Sequence, residues 1–266
     1  NANTIKLPPP LYTLLRDLRI AIEAGAGVHD AVAGLLGESL HEREIHFSAG
    51  VICIPVQTAT LPPASTTNCY LLGHAGGDLL LVDAAAHGAE DIEWIRQRVE
   101  HATSSGGRVV GILLTHRHMD HVGDLESIKQ LSAADIWCSK ETADYLGLEA
   151  ERILSEGDLI ELSHPELPMS WEVLITPGHC PGHICLLSPA GLIAGDMVAG
   201  FGTILIPVEE GRMEEYLEQL ERLKALEPRM LFPSHGPVLS VPQKVLDHYI
   251  SHRRARQQRV LDAVNE

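Results

Sequence analysis

Apolar residues along this chain follow two different patterns. Near the start, Leu11, Leu14, Leu15, Leu18 and Ile22 recur at helical spacing behind Pro8-Pro9-Pro10, and Gly25 and Gly27 interrupt them. A helix is predicted there, with a second short one over residues 28–36. From residue 50 onward the chain changes to short, branched apolar runs at 51–56, 67–72, 79–82, 109–114, 134–138, 171–175 and 191–195. Such continuous runs suit strands buried on both faces. Helical stretches lie between several of them, at 89–101, 124–131 and 140–146, and around Tyr216, Leu217, Leu220, Leu223 and Leu226; one long amphipathic helix runs from Gln243 to the end. Strands alternating with helices predict an α/β architecture. Residues 1–49 read as a helical N-terminal extension, able to pair two copies into a homodimer, and residues 50–266 as one domain.

Charge narrows the partners. The formal net charge is −16, which repels polyanions and anionic membrane surfaces at long range. No run approaches the roughly twenty apolar residues of a membrane span. The five cysteines, Cys53, Cys69, Cys138, Cys180 and Cys185, are odd in number and form no Cys-x-x-Cys pair. Neither a disulfide framework nor a thiolate zinc site is indicated, and a reducing cytoplasm is the expected compartment.

The chemistry gathers where the run 109–114 ends. Thr115-His116-Arg117-His118-Met119-Asp120-His121 packs three imidazoles and a carboxylate into six positions, between a predicted strand and the helix after Gly123. In an extended chain, residues two apart face the same side, so His116 and His118 can aim at one point while Asp120 and His121 diverge. That divergence suggests two metal positions. Neutral imidazole with carboxylate and no sulfur suits zinc and other borderline metals. Further ligand-type residues stand at other strand ends: Asp83 after 79–82, His179 and His183 in Thr176-Pro177-Gly178-His179-x-x-Gly182-His183, Asp196 after Gly195, and His235 in Pro233-Ser234-His235-Gly236.

His116-x-His118-x-Asp120-His121, followed in order by His179, Asp196 and His235, resembles the signature of the metallo-beta-lactamase-fold hydrolases. The resemblance implies a four-layer αβ/βα sandwich of two mixed sheets. It implies one metal on His116, His118 and His179, a second on Asp120, His121 and His235, and Asp196 between them. Asp83 and His183 would support the ligands through hydrogen bonds, and Asp120 would also orient the nucleophile. Two zinc ions are the implied cofactors. The alternative is a single iron on His116, His179 and Asp196, as in persulfide dioxygenases.

Departures from the family's branches carry information about substrate. Asp196 beside His121 argues against a true beta-lactamase, and only a helix fits between Asp196 and His235, too little for the long-insert RNA-processing relatives. The glyoxalase II group and the small endoribonuclease branch typified by beta-lactamase-like protein 2 remain. Phe232-Pro233-Ser234-His235-Gly236-Pro237-Val238, Gly200-x-Gly202-Thr203 and Tyr249-Ile250-Ser251-His252-Arg253-x-x-Arg256 are similar to that second branch. Thr203, His252, Arg253 and Arg256 are therefore candidate contacts to substrate or partner. The expected function is a binuclear zinc hydrolase acting on a phosphodiester of RNA type or on an ester or thioester, whether a small molecule or a short nucleic acid. The alternatives are the iron dioxygenase and a non-catalytic binding module. The loops 61–66 and 199–206 are expected to wall the substrate pocket.

Overall fold

The computed structural model describes residues 45–265, together with Arg19. The helices expected over 11–22 and 28–36, and the homodimer contact assigned to them, lie outside the described residues.

A seven-stranded sheet takes the strands in the order β1 (Ile45–Ser48), β2 (Val51–Gln57), β3 (Thr66–Gly73), β4 (Asp78–Val82), β5 (Arg108–Leu113), β6 (Asp135–Cys138) and β7 (Arg152–Ile153). It is antiparallel from β1 to β4 and parallel from β4 to β7. The five-stranded second sheet is ordered β12 (Leu231–Pro233), β11 (Gly191–Gly195), β10 (Ile184–Ser188), β9 (Met169–Ile175) and β8 (Leu159–Leu162). Only the β11–β12 pair is parallel. Both sheets are thus mixed, as expected.

Period-two alternation explains why the strands read as unbroken apolar runs. In β3 and β4, Tyr70, Leu72, Leu80 and Val82 face the second sheet and meet Trp171, Val173, Ile184, Leu186, Ile193 and Phe232. Their neighbours Cys69, Leu71, Leu79 and Leu81 face outward and are covered by α1 (Ala89–Thr103) through Ile95 and Val99, and by α3 (Leu125–Ser132) through Ile128. On the far side, Leu174, Leu192 and Ala194 are covered by α5 (Met213–Ala225) and by the first turns of α6 (Pro242–Asn265), through Tyr216, Leu220, Leu246 and Ile250. With α4 (Lys140–Leu146) packed on β6 through Ala143, the result is four layers, αβ/βα.

Two expectations change. The sheet begins at Ile45, ahead of the boundary placed at residue 50: Ile45 and Phe47 pack on the core and β1 pairs with β2. Four residues of alternation were too short to stand out from the extension. Strands β7, β8, β10 and β12 likewise lie outside the predicted apolar runs. β8 carries alternating burial over only four residues, and β10 follows the histidine motif directly, starting one residue after His183.

Candidate metal centre

Every candidate ligand stands just beyond the end of a strand, on the rim where the two sheets meet. His116 and His118 follow β5, and His118 caps a one-turn helix, α2 (Met119–Val122), that carries Asp120 and His121. Here the extended-chain expectation is corrected. Asp120 and His121 do not diverge to separate positions, because adjacent helical residues are rotated by only about 100°; both reach the same point as His235.

The buried Asp83 carboxylate organises this loop. Its Oδ1 accepts from the Thr115 backbone N–H at 2.8 Å, and its Oδ2 accepts from the Thr115 hydroxyl at 2.7 Å and from His121 Nδ1 at 2.9 Å. Asp83 holds these bonds from a left-handed backbone, φ 48°. The Asp120 carbonyl accepts from Thr67 Oγ1 at 2.7 Å.

Hydrogen-bond partners fix which nitrogen of each imidazole is protonated. The Thr115 hydroxyl, already donating to Asp83, can only accept from His116 Nδ1, 3.0 Å away. His179 Nδ1 faces the Leu205 carbonyl at 2.8 Å, and His235 Nδ1 faces the Thr66 carbonyl at 3.0 Å; carbonyls only accept, so both nitrogens donate. For His118 the roles reverse. Its Nε2 lies 2.6 Å from the Glu210 carboxylate, leaving Nδ1 as the lone-pair nitrogen. Burial pushes the Glu210 carboxyl up, but hydrogen bonds from His118 and Arg117 outweigh it and hold it below its usual range.

The free lone pairs converge. His118 Nδ1 lies 3.1 Å from His116 Nε2 and 2.9 Å from His179 Nε2. With each outer nitrogen committed as a donor, these inner atoms are acceptors facing acceptors, which is stable only around a cation. Burial, helped by the neighbouring imidazoles, keeps His116 well below the usual histidine range, in the neutral form that ligation requires. Next to this set, His121 Nε2 lies 3.9 Å from Asp120 Oδ1 and 3.6 Å from Asp196 Oδ1; His235 Nε2 lies 3.6 Å from Asp120 Oδ2 and 3.4 Å from Asp196 Oδ1. Asp196 Oδ2 turns the other way, 3.5 Å from His179 Nε2. One carboxylate therefore faces both sets. His121 Nε2 and Asp196 Oδ1 are buried with no hydrogen-bond partner, a cost of about 1–3 kcal/mol each that a bound metal would remove. Burial would lower His121, yet Asp196 and Asp83 push it up to about 9, showing a cluster that attracts positive charge. The residues fit a two-metal centre.

His183 is not a ligand in this arrangement. Its Nε2 accepts from the Asp196 backbone N–H at 3.0 Å and its Nδ1 donates to Thr176 Oγ1 at 2.8 Å, so both nitrogens are occupied. It fixes the backbone of Asp196 instead. Gly195 makes that contact fit: at φ 50°, a Cβ there would stand 2.4 Å from His183 Nε2. Cys180 Sγ lies near His116 and His179, but burial pushes its thiol up to about 12, so it remains protonated.

A cavity of about 840 Å³ opens above the centre, with Asp120, His118, His179, Asp196 and His235 at its floor. The loops 61–66 and 199–206 supply apolar walls, among them Leu61, Phe201, Leu205 and Ile206. Arg253 is buried, donating to Thr203 Oγ1 at 2.7 Å and to the Ile204 carbonyl, while Tyr249 and Tyr216 hold the backbone at Ala199 and Met197. Thr203, Arg253 and Arg256 line the cavity; His252 does not, being exposed and stacked on His248. Sequence reasoning missed Glu210 and Thr115. Neither belongs to a ligand pattern, and Glu210 sits in a loop that meets His118 only through folding.

Two sheets enclosing rim ligands of this kind define a metal-dependent hydrolase of the αβ/βα sandwich class. The chain belongs to the metallo-beta-lactamase superfamily, whose family model matches residues 62–235. It is 32% identical over 206 residues to a beta-lactamase-like protein 2 homolog of Drosophila melanogaster, covering 73% of this chain and 67% of the relative. It is 27% identical to an atrochrysone carboxyl ACP thioesterase of Aspergillus fumigatus, covering 74% of this chain and 59% of that relative, so it spans only part of either protein's length. In fold it is similar to a metallo-beta-lactamase family protein of Thermus thermophilus, with TM-score 0.65 and 22% identity over 82% of this chain and 83% of that one. Among the described residues no helix is long and apolar enough to cross a membrane.

Proposed function

We propose that the protein is a binuclear zinc hydrolase of carboxylic thioesters or esters. The observation that carries the reading is the junction of two facing donor sets, bridged by Asp196, with a cavity whose walls are apolar. A phosphodiester of RNA type is disfavoured by the same walls: nucleic-acid affinity rests on phosphate contacts, and of the two cationic side chains that the described residues place on the cavity, Arg253 is committed to the loop it holds. The relative named as a thioesterase supports the choice.

When bound, two zinc ions supply Lewis acidity toward a carbonyl oxygen and bring the pKa of water to about 7. The chain does the rest. His116, His118 and His179 would hold one ion and Asp120, His121 and His235 the other, with Asp196 shared. Asp120, with 20% of its side chain accessible against 10% for Asp196, is the floor carboxylate better placed to accept a hydrogen bond from the attacking water and take its proton. Addition of the water oxygen to the carbonyl carbon, followed by cleavage of the carbon–sulfur or carbon–oxygen bond, returns that proton to the departing thiol or alcohol. The apolar walls seat the acyl group and keep bulk water from the reacting carbon.

The test is metal analysis of the purified protein, coupled to assays with decanoyl thioesters, bis(p-nitrophenyl) phosphate and glutathione persulfide. Zinc near two per chain, on the order expected for such a centre, with thioester turnover is the expected result. Phosphodiester turnover without thioester turnover, or iron with oxygen uptake, would overturn it.

A further inference from the structure

The wall that α6 gives to the cavity changes chemistry along its length. Arg253, Arg256, Gln257, Val260 and Leu261 all line the cavity and recur at spacings of three and four, a single helical face. Arg253 is buried, and its terminal nitrogen is committed to Thr203 and Ile204. Arg256, nearly one turn on, is exposed, and among the described residues no hydrogen bond or ion pair engages it. Beyond it, Val260 and Leu261 are 58% and 50% exposed, and across the cavity Leu61 and Leu205 are 61% and 55% exposed.

Those numbers describe an apolar mouth around one uncommitted guanidinium. Among the described residues the cavity's only carboxylates are Asp120 and Asp196 at the floor, where the metal-binding groups lie, so none of the described acids on its walls competes for Arg256. In a protein of net charge −16, a cation left unpaired beside an apolar cavity is a selective feature, since a guanidinium pairs bidentately with phosphate or carboxylate. The volume of about 840 Å³ lies in the upper part of the range for pockets that bury most of a drug-sized ligand, roughly 300–1,000 Å³.

Resting on the thioester reading above, we propose that the substrate is an amphiphile: a bulky apolar acyl group seated between the 61–66 and 199–206 loops, joined to a carrier whose anionic group pairs with Arg256. A phosphate-bearing carrier is the expected source of the anion. Arg256 is then a specificity residue that contacts the carrier half, away from the reacting carbon.

The experiment measures binding of thioethers, which cannot be hydrolysed, by calorimetry: S-decyl-coenzyme A, S-decyl-glutathione and S-decyl-N-acetylcysteamine, which carry phosphates, carboxylates and no net charge. Wild-type protein should bind the phosphate-bearing thioether about tenfold more tightly than the neutral one, the worth of one partly exposed ion pair with good geometry. Arg256→Gln should abolish that preference and Arg256→Lys should retain most of it, with circular dichroism confirming both folds. An Arg256-dependent preference for the glutathione thioether instead would assign the anion to a carboxylate. Equal binding of charged and neutral thioethers by wild-type protein, or a preference unchanged in Arg256→Gln, would overturn the proposal. Decanoyl thioester turnover by the same samples separates the two readings. Hydrolysis without the preference removes this proposal alone; the preference without hydrolysis removes the hydrolase reading alone.

Discussion

His118 Nε2 and Glu210 Oε1 lie 2.6 Å apart, and that contact decides which face of the imidazole a metal would meet. A carboxylate can only accept, so Nε2 carries the proton and Nδ1 points at His116 and His179. Glu210 is held in turn by Arg117, whose guanidinium lies 4.1 Å above the Tyr145 ring centroid. Replacing Glu210 by Ala should lower zinc affinity by about 10–100-fold, the usual effect of losing a ligand's orienting partner. Competition with a chelator measures it, and Glu210→Gln, which keeps an acceptor oxygen, should lose less.

Asp83→Ala removes the acceptor for two Thr115 groups and for His121 Nδ1, all buried. Leaving such donors unpaired costs about 1–3 kcal/mol each. Urea unfolding should show a loss of about 3 kcal/mol or more, with a matching fall in bound metal. A variant of unchanged stability would mean that water replaces the carboxylate.

Asn68 ties the sheets together next to His235. Its Nδ2 donates to the Pro233 and Gly236 carbonyls, each at 2.8 Å, and its backbone N–H donates to Ser234 O at 2.7 Å. Asn68→Ala should cost about 1–3 kcal/mol through the orphaned Gly236 carbonyl, since the Pro233 carbonyl still accepts from the Tyr70 hydroxyl at 2.7 Å. Thermal unfolding reads that cost directly, and Asn68→Asp, which loses the amide donor and adds a buried charge, should be worse.

Gly195→Ala puts a methyl group 2.4 Å from His183 Nε2 on a backbone with φ 50°. The left-handed conformation alone costs about 1–2 kcal/mol; the clash breaks the bond that His183 makes to the Asp196 N–H. Bound metal should fall, since Asp196 faces both donor sets. Full occupancy in this variant would show that the Asp196 backbone tolerates the shift.

Alkaline pH should weaken the fold. Burial pushes Cys53 and Cys185 from 9.0 up to about 12, against the smaller opposing hydrogen bonds of Tyr70 and Thr176. Folded pKa values above unfolded ones mean that the contribution is complete below pH 9 and is lost as pH rises from 9 toward 12. Urea midpoints across that window should fall, and Cys53→Ala should fall less steeply. A thiol reagent at pH 8 should react only on unfolding, because all five cysteines are buried.

The sequence by itself determined a great deal here. Unbroken apolar runs marked most strands, because strands covered on both faces have no solvent side to alternate with. The ligands were legible because metal chemistry restricts residue type, and because His116, His118, Asp120 and His121 are crowded into one strand-to-helix turn. What the sequence could not settle was anything made by contact between distant segments. The tautomer of each imidazole depends on partners such as Glu210, Leu205 and Thr66, and the split orientation of Asp196 depends on how β5, β9, β11 and β12 end on one rim. Arg253 and Arg256 looked alike as neighbours in a basic cluster; packing alone made the first a buried clamp and left the second facing the cavity. Residue type is a local property, whereas desolvation and hydrogen-bond partnership belong to the folded assembly of segments, and in this protein they separate a ligand from its support.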